Sequence, residues 1–557
     1  MVLILVWHFA GATRASPALP PPLGVLGTTW ELLNKGVYTD HITASLEIIL
    51  LGIAIAVLFG FVLGLLMFMW EGFRLAILPL IESVRGVAAL TLFPLLIVLF
   101  GIGTFSRVFV IFWTAWPAVV LSTMSSLKVD EHTVSGAYAL GAGEWRVLLS
   151  LRIRMALPGV LTGVRIGVSG GWIGLVAAEM LGATRGLGFF LLWSAQSFQF
   201  ERVYATIIII ATIGGLMNFG MMLLQRKLSK LFGGKKMKNK IMLIIAVSIL
   251  AIILAGCGRQ TNENGTIRYI GFRVYDPVYV AYELGLFEKH GVNVEIIDLM
   301  TAGPTALQAI SGGNAEAGLS FIGSIVNARA QGMPVIGVSD IQSSFAHAPL
   351  AEFFVRADSG IYSVEDIRGR TVAINLVHAS FHHKWLMAIE AVGIEESEVH
   401  WTVLPFEQQA LALANGHVDA IGVLQPHTVI ARENENFRRL FTAYDVFGER
   451  QFTTHVFNSI WAENNPKAVT AFVAAITEAT AWIADNQEAA AFMVSQHTGV
   501  NMAYIEDYFF QPNARVDMED AQFWLDYMRR IGLITADWLT VEDFATNRFN
   551  PFEMEDQ

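Results

Sequence analysis

The chain has 557 residues, 54% hydrophobic and only 15% charged, with a mean hydropathy of +0.50. Soluble domains carry nearer a quarter charged residues, so the composition argues against a wholly soluble chain and excludes disorder for most of it. The formal net charge of −11 conceals a split. Residues 1–240 hold 19 Lys+Arg and 10 Asp+Glu, a net of +9, which leaves 18 and 38, a net of −20, for 241–557. The acidic second part argues against nucleic-acid binding, which needs a basic footprint. The one cysteine, Cys257, rules out a disulfide framework and speaks against a cysteine-based metal cluster.

The first part reads as membrane. Ile48–Met69, Gly86–Ser106, Val108–Leu127 and Val203–Gln225 are free of charge and long enough to cross about 30 Å of hydrocarbon. A fifth span is expected around Leu157–Met180, interrupted by Arg165 and Glu179, and Val2–Ala10 is apolar but short. About six transmembrane helices are expected over residues 1–232. Lys and Arg concentrate in alternate loops: Arg74 with Arg85, then Arg146, Arg152 and Arg154, then the run from Arg226 to Lys240. The positive-inside rule places those loops in the cytoplasm.

The loop Asp130–Pro158 is polar, then broken by Gly141-Ala142-Gly143, then helical up to Leu157-Pro158. Such a segment reads either as an ordinary connection or as a short amphipathic helix that docks on a partner. Ser135-Gly136-Ala137 with Gly141, followed by Leu157-Pro158, resembles the EAA loop of binding-protein-dependent ABC importer permeases. The phrases SPALPPPLGVL, PLLIVLFGIG, LPGVLTGVRIG and AEMLGATRGLGF resemble the permease subgroup for sulfonates, nitrate, taurine and thiamine-type pyrimidines. The resemblance covers about residues 15–232 and implies coupling to an ATPase through Ser135, Gly136, Ala137, Gly141, Leu157 and Pro158. It also implies a second permease copy, as a homodimer. Ser135, Gly136 and Arg154 depart from the usual Glu, Ala and Pro of the motif.

A second N-terminal pattern opens in mid-chain. Basic Met237–Lys240 precedes apolar Ile241–Leu254 and then Leu254-Ala255-Gly256-Cys257. Residues 237–257 therefore read as a lipoprotein signal whose lipobox cysteine is Cys257. A plain transmembrane helix with a chance cysteine is the alternative. Residues 258–265 read as a polar tether that delivers 266–557 outside the cytoplasm.

Residues 266–557 alternate short apolar strands with helical stretches. Strands are expected at Ile267–Phe272, Val292–Ile297, Ala317–Phe321, Thr371–Ile374 and Val418–Val423. Helices are expected at Pro277–Lys289, Ala306–Ile310, Pro466–Asn486, Glu488–Thr498 and Ala521–Ile531. Ser363–Asp366 looks like a capping box. No catalytic constellation and no phosphate-binding glycine loop stands out, so ATP hydrolysis is assigned to a separate chain and no cofactor is expected. His378, His382 and His383 raise the question of a metal, with a polar helix start as the favoured reading and no metal site assigned.

The phrases VYVAYELGLFEKHGVNVEII, ALQAISGGNAEAG, ARAQGMPV, FFVRADSGIYSVEDIRGRTVAI and VLPFEQQALALANGHVDAIGV resemble the sulfonate/nitrate/taurine and thiamine-pyrimidine binding proteins. The resemblance implies an α/β two-lobed periplasmic-binding-protein fold behind the all-α transmembrane bundle, with chain crossovers near 340–355 and 445–456. It also implies ligand contacts where strands end and helices begin: Tyr275 and Asp276; Ser320, Gly323 and Ser324; His378, Ala379 and Ser380; Gln425 and His427. Asp276 also reads as a helix cap and Ser320 as a strand end. Helix N-termini suit an anionic head group. The expectation is a multi-pass protein of the bacterial plasma membrane that serves an ABC importer. Its expected solute is small and anionic or heteroaromatic, foremost a taurine-like sulfonate. A thiamine-pyrimidine or nitrate importer, or a receptor that no longer transports, are the alternatives.

Overall fold

The computed structural model describes residues 7, 19–92, 95–96, 104–183, 185–231, 265–300 and 303–553. They fall into a helical unit and an α/β unit, each a compact body.

The helical unit runs α1 (Pro22–Asn34), α2 (Val37–Met69), α3 (Glu71–Arg85), α4 (Thr104–Ser126), α5 (Glu131–Ala139), α6 (Ile153–Gly182), α7 (Leu187–Gln196) and α8 (Phe200–Leu231). Among the described residues of this unit, four helices are long and apolar enough to span: α2, α4, the run Glu144–Met180 through α6, and α8. This makes the chain a multi-pass membrane protein. Among the described residues, the first part of the span expected at Gly86–Ser106 is not α-helix: Gly86 caps α3 and Ala89–Leu92 is a 3-10 turn, while α4 runs from Thr104. Residues 93–94 and 97–103 lie outside the described residues.

α4 is gripped from two sides by glycine stripes. On α6, Gly159, Gly163, Gly167 and Gly171 recur every fourth residue, and a Cβ on any of them would meet α4 at Ser126, Ser122, Ala115 and Ile111. On α2, Gly52, Gly60 and Gly64 stand in the same way against Ile111, Val119 and Thr123. Lipid tails are as apolar as leucine, so spanning helices associate by close backbone packing, which small residues allow.

Glu179, which interrupts the expected fifth span, is buried in a polar node. Its carboxylate accepts from Ser45 Oγ (2.7 Å) and Gly188 N (2.8 Å), while Ser45 Oγ accepts from Leu187 N (2.9 Å). Gly186 takes φ +126°, and a Cβ there would lie 2.4 Å from the Glu179 carboxyl, so the turn after α6 closes directly over the acid. A polar group in a span needs internal partners of this kind.

The α/β unit has two five-stranded sheets. The first lobe holds β1 (Ile267–Phe272), β2 (Val294–Met300), β3 (Ala317–Phe321), β4 (Val335–Ser344) and β10 (Arg450–Asn458), ordered β2-β1-β3-β10-β4. The second holds β5 (Ala351–Arg356), β6 (Thr371–Ile374), β7 (His400–Val403), β8 (Ala420–Leu424) and β9 (Phe437–Thr442), ordered β7-β6-β8-β5-β9. β1 pairs parallel with β2 and β3, as does β6 with β7 and β8; β10 and β5 run antiparallel to their neighbours. The chain changes lobe between β4 and β5 and again between β9 and β10, inside both expected crossover windows.

The bounds of β1, β3 and β6 coincide with the apolar runs that predict them. The expected helix 277–289 is broken into α9 (Pro277–Glu283) and α10 (Leu286–Lys289) by Gly285 at φ +65°. Helices α11 (Gly303–Ser311), α12 (Ile322–Ala330), α13 (Ser380–Ala391), α14 (Phe406–Ala414) and α15 (His427–Arg432) follow their strands. After these come α16 (Ala443–Phe447), α17 (Ser459–Asn464), α18 (Pro466–Asp485), α19 (Gln487–Thr498) and α20 (Met518–Arg530). α18 is apolar enough for a span, yet Val469, Phe472, Val473 and Ile476 fill the first-lobe core against Tyr269, Phe287 and Phe457. It is a core helix of the α/β unit.

Candidate functional site

The strand-to-helix loops of the α/β unit carry the expected ligand residues, and the structure sorts them. Tyr275 is buried and stacks on Tyr508, ring centroids 4.4 Å apart, with its hydroxyl unpartnered. It shares a narrow gap with Gln425 and Pro426 of the second lobe. Asp276 is turned inward. It caps α9 by accepting from Val278 N (3.0 Å), accepts from Tyr269 OH (2.5 Å), and has His455 Nε2 at 3.2 Å. Its carboxylate is engaged in holding the helix start.

Ser320 and Ser324 are buried with unpartnered hydroxyls at the β3–α12 junction. Gly323 between them is explained by packing, because a Cβ there would lie 2.3 Å from Met528 Cε and 2.5 Å from the Phe321 ring. A buried hydroxyl without a partner costs free energy, so a group that supplied the missing bond would be favoured at this junction.

Opposite stands the start of α13. His378 takes φ +53°, Ala379 is the N-cap, and Ser380 opens the helix. His378 N donates to His382 Nδ1 (3.0 Å), and His383 Nε2 lies 3.1 Å from the His378 carbonyl. The imidazoles of His382 and His383 therefore hold the His378 backbone in this turn. Burial lowers His378 to about 4 and His383 to about 3, so these rings are neutral. Among the described residues no group of three His, Cys, Asp or Glu is arranged to hold a metal. The Phe321 ring, on β3, lies 6.1 Å from His383, which brings the Ser320–Ser324 and His378–Ser380 loops together across the lobes.

Gln425 is held by Glu506, donating Nε2 to Oε2 and accepting from the backbone N, both at 3.2 Å. His427 opens α15 half-buried, its ring 6.2 Å from that of Phe406, and burial lowers its pKa. A cavity of about 600 Å³ is lined by Gln425, Glu352, Arg432, Arg439, Glu506 and Tyr508.

One residue absent from the sequence expectation stands out. Lys384 is fully buried on α13, donates to Ser380 Oγ, and lies over the rings of Phe381 (5.0 Å) and Phe452 (3.9 Å). The signal was available as the i, i+4 spacing of Ser380 and Lys384, which puts both on one face.

In the helical unit, Asp130 caps α5 by accepting from Thr133 N (3.3 Å), and Ser135, Gly136 and Ala137 lie on that helix. Gly141 follows at φ +81°, a conformation glycine takes without strain. The separate helix expected after the break is instead a single turn, Glu144–Arg146, passing through a π-helical turn, Val147–Arg152, into α6. Leu157 and Pro158 lie inside α6 and not at its start. The ring of Pro158 removes one ladder donor, and its carbonyl accepts from Thr162 Oγ1 (3.1 Å) and Gln225 Nε2 (3.4 Å). Around Gly141, Leu140 is 90% exposed and Trp145 66%, with Tyr138 and Leu149 exposed beside them. Cys257 and the whole stretch 232–264 lie outside the described residues.

Residues 33–231 match the family "Binding-protein-dependent transport system inner membrane component", and residues 274–490 match "NMT1/THI5 like". The chain is 36% identical over 240 residues to the taurine transport system permease protein TauC of Escherichia coli, covering 42% of this chain and 87% of that protein. It is 30% identical over 232 residues to the putative aliphatic sulfonates transport permease protein SsuC of Bacillus subtilis, with 41% and 84% covered. It is 29% identical over 216 residues to the formylaminopyrimidine transport permease protein ThiX of Halalkalibacterium halodurans, with 38% and 86% covered. The chain belongs to the binding-protein-dependent ABC importer permeases, and in the same polypeptide it carries a region that matches the NMT1/THI5-like family.

Proposed function

We propose that this chain is the membrane path and the receptor of one importer for a small organic anion, foremost a taurine-like or other aliphatic sulfonate. The observation that carries the reading is the pairing of unpartnered buried hydroxyls at Ser320 and Ser324 with the helix start at His378–Ser380, across the lobes. Hydroxyls and first-turn amides present donors to an oxyanion. The kinship of the permease half with taurine and sulfonate permeases agrees with this solute class. A pyrimidine solute is the second reading, supported by the NMT1/THI5-like match and the formylaminopyrimidine relative.

In this reading the receptor half lies outside the cytoplasm, tethered through a lipid on Cys257. Two permease copies form the path, and a separate ATPase chain docks around Gly141. The α/β lobes close on solute, the receptor presents it to the path, and ATP hydrolysis in the partner drives release inward. Tyr275 supplies a flat apolar wall for the remainder of the ligand. Proteoliposomes holding the full chain and its ATPase should take up labelled taurine or an alkanesulfonate in an ATP-dependent way. Uptake of an aminopyrimidine with no sulfonate uptake would select the second reading, and solute binding without any uptake would leave a receptor that does not transport.

A further inference from the structure

An ammonium group buried without a carboxylate is costly, because its hydration is lost and nothing ionic replaces it. Lys384 is in that condition. Among the described residues its Nζ meets only Ser380 Oγ and two aromatic faces, and no carboxylate stands within ion-pair distance. The Phe381 and Phe452 rings offset part of the cost through their negative faces. Burial alone lowers its pKa to about 7.

The geometry says what the charge faces. Long side chains on a helix lean toward its N-terminus, so a lysine four residues in delivers its ammonium to the first turn. That turn has amides without intrahelical acceptors and the positive end of the helix dipole. Phe452 belongs to β10 of the first lobe, so Lys384 touches both lobes near a crossover. Phe452 packs on Trp524, which meets Phe321 at 4.7 Å, and Phe321 meets His383. Lys384 thus shares one aromatic-walled cluster with the β3–α12 junction, where Ser320 and Ser324 lack partners.

We propose that Lys384 reads ligand charge: its ammonium, held at the mouth of α13 by Ser380, meets a compact anionic head group and restricts the site to solutes that carry one. The proposal rests on the receptor reading above and sharpens it, because a neutral heteroaromatic leaves the ammonium unanswered.

The test titrates the purified full chain, in nanodiscs, with methanesulfonate, taurine and a neutral aminopyrimidine by calorimetry. Lys384→Met removes the charge and suits the apolar surroundings; Lys384→Gln keeps a hydrogen bond to Ser380. Both variants should bind the sulfonates at least about 30-fold more weakly, as expected for loss of a buried charge partner, with the ligand-free melting temperature unchanged or raised. Sulfonate binding within threefold of wild type in either folded variant overturns the role of Lys384 and leaves the receptor reading standing. Tight binding of the aminopyrimidine by wild type and variants alike overturns the charge requirement. A wild-type chain that binds none of the three overturns both.

Discussion

Arg432 grips Glu506 at two points, Nη1 to Oε1 at 2.5 Å and Nη2 to Oε2 at 2.8 Å. Arg432 belongs to α15 of the second lobe. Glu506 belongs to the segment whose Tyr508 packs with Tyr275 and Tyr279 in the first. The same arginine donates Nε to buried Glu352 (2.8 Å), so one cation lies between two carboxylates. The lobes are therefore pinned together at the residue that also engages Gln425. Arg432 and Glu506 are each more than a third exposed, so solvent screening limits the pair to about 1 kcal/mol despite its two-point geometry. Glu506→Gln should raise the ligand off-rate about fivefold with little change in on-rate, measured by stopped-flow on the full chain. An unchanged off-rate would show that the pair does not bear on lobe opening.

The acid limb of stability should come from the histidine cluster. Free histidine titrates near 6.5, and His383 falls to about 3 because of burial. A base whose folded pKa is depressed contributes stability that is present above its unfolded value and is lost as pH falls toward the folded value. Between about 6.5 and 3 the unfolded chain binds the extra proton, and at pH 5 the loss is about 2 kcal/mol for one imidazole. Asp340 acts oppositely. Burial raises it to about 7, while Gln511 N and Gln451 Nε2 donate to it, so its contribution is lost as pH rises from about 4 to 7. His383→Gln keeps a donor for the His378 carbonyl and removes the titration. Its melting temperature should drop less than that of wild type between pH 7.5 and pH 5.0. Equal drops would place the acid sensitivity elsewhere.

Where a local apolar run is closed by polar residues the sequence is legible to the residue, as at Thr371–Ile374 between Arg370 and Asn375. The site was less so, because its chemistry depends on distant partners. Gly323 reads as a ligand loop glycine until Met528, far along the chain, is seen against it. Asp276 was open between cap and contact, and only Tyr269 and His455 show where its oxygens go. Lys384 sat in a stretch read as a polar helix start; its burial is made by Phe452, a residue of the other lobe. The span expected around Leu157–Met180 starts earlier, because the π-turn at Val147–Arg152 runs straight into α6 at Ile153, ahead of Pro158.

Lipidation of Cys257 is tested apart from the fold. Small residues precede the only cysteine of the chain, after a basic and apolar stretch. Labelled palmitate should enter the protein in cells and vanish in Cys257→Ala. Processing at this site would also release a receptor fragment near 33 kDa, from roughly 300 residues at about 110 Da each. Equal labelling of the variant would exclude the modification, and a single full-length lipid-free band would show a permanent fusion.

The coupling segment makes the remaining prediction. Tyr138, Leu140, Trp145 and Leu149 are exposed on both sides of the Gly141 turn. Apolar side chains gathered at a tight turn are what a partner protein covers, and a buried tryptophan commonly dominates such an interface. Gly141 at φ +81° fixes how the two arms of the segment face each other, and a β-branched residue is strained there. Trp145→Ala should reduce co-purification of the ATPase at least about tenfold, the equivalent of a hot-spot loss near 1.4 kcal/mol. Gly141→Val should do the same without touching any apolar contact. In both variants taurine binding by the receptor half should match wild type in calorimetry, because the substituted positions belong to the helical unit. ATPase association that survives both changes would mean that the segment is a connection and that the partner docks elsewhere.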